Sequence, residues 1–269
     1  MLTWFTSVSM AQNTNCNTTA GFGLEVPKLA DDSMSIYIER STRAYGPTYS
    51  LEWDCSRLAN RWTCYVLNDS NSLNNVSRDN SAFCEDTSIP KAYRTTNSMY
   101  TKCGYDRGHL CPSADRRCSL AQNAQTFLLS NIHPQFKKHN TSIWKALENM
   151  VRLKWNVPAF RDTLYVVKAA TITDSLIYEK KTWSNLIVPK YFYCALLCLK
   201  DGAYKAMGII TPHKDVRTWK KYWWNYCVSV DSLEKFTGID FFCNLPDSIE
   251  DEVEADTLFT KWGIERPEN

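Results

Sequence analysis

One of the chain's four histidines, His109, follows a glycine in the stretch Tyr105-Asp106-Arg107-Gly108-His109-Leu110. A neutral imidazole is the side chain best suited to take a proton near pH 7. Gly108 lets backbone or substrate approach closely. Further along come Ser130-Asn131-Ile132-His133-Pro134-Gln135, then a helical pattern carrying Asn140 and Glu148. An asparagine oxygen is a hard neutral ligand, suited to magnesium and poor for zinc. A single such ligand leaves the ion mostly hydrated, which magnesium tolerates because it gives up water reluctantly. Asn140 and Glu148 lie eight positions apart. On an α-helix that is about 80° of rotation and roughly 12 Å of rise. The two residues share a face but not one coordination sphere, so Glu148 is placed to hold a metal-bound water. A base, a metal ligand and nearby cations are what phosphodiester hydrolysis asks of a protein.

Taken singly, each residue has an ordinary explanation: a strand-end histidine, a helix cap, a solvated helix charge. The elements that must position them read as follows. Residues 36–67 are β structure, with Tyr49–Trp53 and Trp62–Leu67 alternating as hairpin strands. Residues 68–104 are rich in Asn, Ser, Asp and Thr and read as loop, with Ala82-Phe83 as the hydrophobic landmark. Leu120, Ala124, Phe127 and Leu128 have helical spacing. A clearer helix starts at Asn140, with Asn140 and Thr141 as caps and Ile143, Trp144, Leu147, Met150, Val151 and Trp155 recurring near a period of 3.6. Pro158 ends it. Strands follow at Leu164–Val167, Lys190–Leu199 and Tyr204–Ile210, the second a continuous apolar run of the buried kind. Val228–Asp231 leads into a short helix that ends at Gly238. Helices lie between groups of strands without a βαβ rhythm. The fold class is therefore α+β, a central, mainly antiparallel sheet flanked by helices.

Asp-Arg-Gly-His, then Ser-Asn-x-x-Pro-Gln, then Asn-x-x-x-Trp-x-x-x-Glu resembles the DNA/RNA non-specific endonuclease family, the ββα-metal group that includes endonuclease G. The motif runs almost continuously from Tyr105 to Glu148. Weaker similarity spans residues 45–250, including Arg78-x-x-x-x-Phe83-x-x-Asp86 and Val188-Pro189-Lys190-Tyr191-Phe192. The resemblance implies His109 as general base, Asn140 as the sole protein metal ligand and Glu148 as the residue that orients a metal-bound water. It implies Arg78 on the scissile phosphate, with Arg107, Asn131 and Gln135 in support. Asp106 reads as a structural partner for a nearby cation or amide. The implied cofactor is Mg2+, with Mn2+ or another divalent cation substituting. The implied substrates are DNA and RNA, cleaved without sugar preference to leave 5′-phosphates. Many members are dimers, so a homodimer is an expectation, and an inhibitor protein is a further partner class; the sequence identifies neither. The rival reading is a catalytically silent nuclease-like module that binds nucleic acid or protein. A Cys111–His109 nucleophile pair is disfavoured, because residues two apart on a strand do not face one substrate atom.

Composition bounds these expectations. The chain has 269 residues, 44% of them hydrophobic, enough for a sizeable core. No apolar run reaches membrane-spanning length. The formal net charge is only +2, so a polyanion site must be local rather than a general basic field. Basic clusters stand at Arg57/Arg61, Arg116/Arg117, Lys137/Lys138, Arg152/Lys154 and Lys214/Arg217/Lys220/Lys221. Eleven cysteines, an odd number without a C-x-x-C pair, point to disulfides in an oxidising compartment, with free buried thiols as the alternative. Whether Cys111 and Cys118 are bridged is open. Ser9-Met10-Ala11 resembles the end of a secretory signal, though the charged start and full apolar core are missing. The organisation expected is a flexible leader or signal remnant over 1–22 and a single nuclease domain over 23–269, in a secreted or periplasmic protein.

Overall fold

The structure is a computed structural model that describes residues 5–10, 22–78, 83–180, 185–217 and 220–266. Its centre is an eight-stranded sheet in the order β1-β2-β3-β4-β7-β10-β11-β12, with every neighbour antiparallel. The strands are β1 (Phe5–Met10), β2 (Ser35–Thr42), β3 (Gly46–Asp54), β4 (Ala59–Leu67), β7 (Thr163–Ala170), β10 (Tyr191–Lys200), β11 (Ala203–Pro212) and β12 (Cys227–Val228). Two small antiparallel ribbons stand apart from it: β5 (Asp106–His109) with β6 (Ile132–Gln135), and β8 (Ile177–Lys180) with β9 (Ile187–Pro189). The helices are α1 (Asn97–Tyr100), α2 (Leu120–Gln125), α3 (Lys137–His139), α4 (Lys145–Met150), α5 (Val230–Thr237) and α6 (Asp247–Glu254).

The continuous apolar run of β10 has a simple cause: both faces of the sheet are covered. Phe192, Cys194, Leu196 and Cys198 face one core, with Trp144, Leu147 and Val151 from the α3–α4 helix. Tyr193, Ala195 and Leu197 face a second core, with Val230 and Leu233 of α5 and Val253 of α6. Alternate residues of one strand thus feed opposite layers. The expected α+β class with an antiparallel sheet is what the chain adopts.

The helix after β6 begins earlier than its spacing predicts. It opens at Lys137, runs through widened π-type turns at Asn140–Trp144 and Val151–Trp155, and reaches Trp155. Asn140 is therefore not the N-cap; its backbone is already helical, and its N–H donates to the Phe136 carbonyl at 2.9 Å. At the other end of the chain the pattern is local and holds: Ser229 caps α5, and Gly238 closes it at φ 73°.

Two other expectations change. Within the span read as a leader, Phe5–Met10 forms an edge strand paired with β2; the remainder, residues 1–4 and 11–21, lies outside the described residues. Eight of the eleven cysteines expected to supply a disulfide framework are unbridged. Cys55, Cys64, Cys103, Cys111, Cys118, Cys194, Cys198 and Cys227 are all free and buried. The reason is their placement. Cys194 and Cys198 sit along one strand, Cys64 faces the other core, and Cys111 packs under the α3–α4 helix. Cys118, far from bridging Cys111, donates to the Asn71 carbonyl at 3.0 Å. These thiols serve as small buried hydrophobes.

Candidate active site

β5, β6 and the helix from Lys137 form one compact ββα unit. The ribbon pairs Asp106 with Gln135 and His109 with Ile132. Gly108 is required there: a Cβ on it would lie 2.2 Å from Gln135 Oε1 and 2.7 Å from Gln135 Cβ. The helix is tied back to the ribbon by Trp144, whose Nε1 donates to the His109 carbonyl at 3.0 Å. Asn131 holds the turn after His109, accepting from the Cys111 amide at 2.9 Å and donating to the Cys111 and Thr126 carbonyls, also at 2.9 Å. Gln135 pairs with His139 Nδ1 at 2.7 Å.

The other three histidines anchor this unit to the sheet. His133 Nε2 meets the Asn60 carbonyl of β4 at 3.0 Å. His139 Nε2 meets the Thr211 hydroxyl of β11 at 3.1 Å. His213 Nε2 accepts from the Phe136 amide at 2.6 Å while its Nδ1 donates to the Pro189 carbonyl at 2.7 Å. Burial lowers all three, His133 and His213 to about 4 and His139 to about 3, so they serve as neutral hydrogen-bonding posts.

A pocket of about 570 Å³ opens over the ββα unit. Arg78, Asp106, Arg107, His109, Asn140 and Glu148 all line it, together with Lys145 and Arg152. The imidazole of His109 is held between Phe83 and Phe127, each ring centroid 5.3 Å away, and its Nε2 has no protein hydrogen-bond partner. Burial, reinforced by the charge of Arg78, lowers it to about 3, so it is neutral across the neutral range. The Arg78 guanidinium stacks over Phe127 at 5.1 Å, and that of Arg107 lies over Phe83 at 5.2 Å and Tyr100 at 5.5 Å. Asn140 Nδ2 donates to Asp106 Oδ2 at 3.1 Å. That bond turns the amide so that Oδ1, a hard neutral donor, is left for a cation. Burial raises Glu148, while Lys168, Arg152 and Arg78 pull it back down.

The structure brings Arg78, Asp106, Arg107, His109, Asn140 and Glu148 to one pocket; Asn131 and Gln135 stand behind it. The partner of Asp106 is the Asn140 amide, a link that spacing does not reveal. Residues without a motif complete the pocket. Arg152, one of the basic clusters, pairs with buried Asp115 at 2.6 Å and reaches Asn149 at 3.2 Å. Lys145 lies one turn before Glu148 and two before Arg152 on the same helix, so the i, i+3, i+7 spacing from Lys145 marks both. Arg116 and Arg61, from two other basic clusters, are structural. Arg116 is buried against the Val66 and Asp115 carbonyls, and Arg61 pairs with Glu52 and Asp54.

With Arg78, Arg107, Lys145 and Arg152 against Asp106 and Glu148, the pocket is locally basic in a nearly neutral chain. It can accept a phosphate, keep an imidazole neutral beside it, and offer oxygen donors to a hard cation. The sequence profile of the DNA/RNA non-specific endonuclease family matches residues 31–248. The chain belongs to this family. As a member it is an endonuclease, and its relatives are named nucleases. It is 33% identical over 215 residues to a Nostoc protein named Nuclease, covering 77% of this chain and 75% of that one. It is 29% identical over 202 residues to the zebrafish (Danio rerio) protein named Nuclease EXOG, mitochondrial, covering 71% of this chain and 58% of the relative. A chain from the crystal structure of the EndoG/EndoGI complex superimposes with a TM-score of 0.64 at 23% identity, over 75% of this chain and 85% of that one. That superposition shows a shared fold.

Proposed function

We propose that this endonuclease hydrolyses phosphodiester bonds of both DNA and RNA without sugar preference, leaving 5′-phosphates. The observation that carries the reading is the convergence of His109 from β5, Asn140 from the widened turn and Glu148 from α4 on one basic pocket. In this mechanism His109 takes the proton of the attacking water as the oxygen closes on phosphorus. Pairing of a phosphate oxygen with Arg78 offsets the positive charge that depresses the imidazole, so the base strengthens when substrate is present. The guanidinium groups of Arg78 and Arg107 hold phosphate oxygens through charge-assisted hydrogen bonds. Phosphate contacts position a strand without reading its bases, which fits low specificity.

The donor set suits a hard divalent ion: a neutral amide oxygen oriented by Asp106, with the Glu148 carboxylate on the same helix. Mg2+, with Mn2+ substituting, would be held by Asn140, with Glu148 fixing its water shell. Bound there, it would supply Lewis-acid stabilisation of the charge developing on the phosphate and the leaving 3′ oxygen.

A second pocket shares Ala114 and Arg152 with the first and adds Arg117 beside the paired Arg161–Asp69 and Arg152–Asp115, and it would offer the strand a continued path. The EndoG chain was solved with EndoGI in a study of its inhibition; an inhibitor protein is proposed for this chain by that likeness. A homodimer is proposed from the family resemblance alone, and sedimentation of the purified chain tests it. No helix among the described residues is long and apolar enough to cross a membrane. A secreted or periplasmic location is also a proposal. The eight free buried thiols count against its cysteine argument, and cell fractionation decides it.

The test is cleavage of plasmid DNA and of RNA with Mg2+ by the wild-type chain and by His109→Ala. Loss of the base should cost on the order of 10²–10⁴-fold. Undiminished cleavage by His109→Ala, or cleavage that survives chelation, sinks the mechanism. A wild-type chain that binds both polymers and cuts neither would be the silent module instead.

A further inference from the structure

On the sheet face opposite the α3–α4 helix, α5 and α6 pack against β11 and against each other through Val230, Leu233 and Val253. At the polar side of their junction three carboxylates meet. Asp231 and Glu234 lie one turn apart on α5, and Glu254 is the last residue of α6. One oxygen from each lies within 4.8 Å of the other two. Acidic clusters are common on surfaces and mean little alone, but this one is not simply solvated. Glu254 is 4% exposed, and its Oε1 has no hydrogen-bond partner although it belongs to the cluster. Glu234 is fixed in place, with Oε1 accepting from the Phe241 amide at 2.7 Å.

The charges around Glu254 make its position costly. Burial first, and then the like charges of Glu234, Glu250, Asp240 and Asp231, push its carboxyl up to about 10. Lys28 reaches Asp240, at 3.7 Å. A buried carboxylate in such company either keeps a proton or meets a cation.

We propose that Asp231, Glu234 and Glu254 form a second divalent-cation site, of the calcium class, that clips α5 to α6 on the face away from the catalytic pocket. The donors are all oxygens, which selects a hard cation. The three donor oxygens all lie within 4.8 Å of one another, close enough for one ion to meet them together. Three protein carboxylates favour Ca2+ over Mg2+, which keeps most of its water and is usually held by only one or two carboxylates. Binding expels the Glu254 proton to solvent and lets three like charges share one counter-ion.

The experiment uses the full chain carrying Asn140→Ala, so that a cation in the catalytic pocket does not contribute. Its melting temperature is followed in EDTA and in millimolar CaCl2, with bound Ca2+ counted by equilibrium dialysis. Expected are about one equivalent of Ca2+ and a rise of roughly 5 °C. Adding Asp231→Asn or Glu254→Gln should remove both. Should Glu254→Gln fail to fold, the partly exposed Asp231→Asn carries the decision. The proposal is overturned if Ca2+ neither binds nor raises the melting temperature of the Asn140→Ala chain, or if both effects survive Asp231→Asn. A Glu254→Gln chain that is more stable in EDTA, beside a parent indifferent to Ca2+, would mean the carboxylates share a proton.

Discussion

Asp106 Oδ2 accepts a hydrogen bond from Asn140 Nδ2 at 3.1 Å, joining the first residue of β5 to the first widened turn of the helix. The acid of the family motif therefore acts on the proposed metal ligand rather than on substrate. Replacing Asp106 with Ala should leave the fold intact and let the Asn140 amide rotate. Loss of such an outer partner typically costs about 10–100-fold in metal affinity or activity. We expect the loss to appear mainly as a raised Mg2+ requirement, measured by titrating Mg2+ in a plasmid-nicking assay. A loss that is identical at all Mg2+ concentrations would contradict this role.

Lys168 is fully buried, with Nζ 5.7 Å from the centroids of both Tyr65 and Trp144 and without a hydrogen-bond partner. Among the charges acting on Glu148, its pull is the largest that opposes burial. Removing that cation with Lys168→Met should raise the Glu148 carboxyl further. In the proposed mechanism Glu148 works ionised, so activity should fall as pH drops through its pKa. The acid limb of the pH–activity profile should therefore move to higher pH in the variant. His109, at about 3, does not set that limb. A profile that fails to move would separate Lys168 from the site.

His213 joins the ββα unit to the β9 end through Phe136 and Pro189, and burial holds it at about 4 in the folded chain. Its unfolded value is near 6.5. A lowered histidine contributes stability above the unfolded value and loses it as pH falls toward the folded one. The opposite trend comes from Glu52, Glu234 and Glu250, each raised to about 7, so total stability mixes the two. The difference between wild type and His213→Gln isolates the histidine. That difference should shrink by about 1.4 kcal/mol per pH unit between roughly 6.5 and 4. Urea unfolding at several pH values measures it.

The eight free buried thiols make a direct prediction. They should titrate with a thiol reagent in denaturant without reductant, and be nearly silent in the native chain. Burial pushes Cys111 and Cys194 up to about 12, so neither presents a thiolate at neutral pH. Reductant should leave the melting temperature unchanged; a clear drop would reveal a structural disulfide.

The candidate site was legible because the ββα unit is local. Asp106, His109, Asn131, Gln135, Asn140 and Glu148 fall within one short stretch, and a ribbon followed by a helix brings them together whatever the rest of the chain does. The antiparallel sheet was equally readable, since alternation and the buried run of β10 are properties of single strands. What no local pattern carried was long-range side-chain packing. The helix opens at Lys137 rather than Asn140 because Phe136 and His139 are fixed by His213 and Thr211, from beyond β10. Phe83 and Phe127 close on His109 from two separate segments, and Arg152 enters the pocket with Asp115 as its partner. The cysteines show the same division. Their number suggested bridges, but bridging depends on which Cβ atoms meet, and the two-faced sheet sends neighbouring thiols into different layers. The sequence by itself determined the candidate groups and the element that presents them. The tertiary structure decided their electrostatic setting, because burial and charge at His109 and Glu148 come from residues far away in the chain.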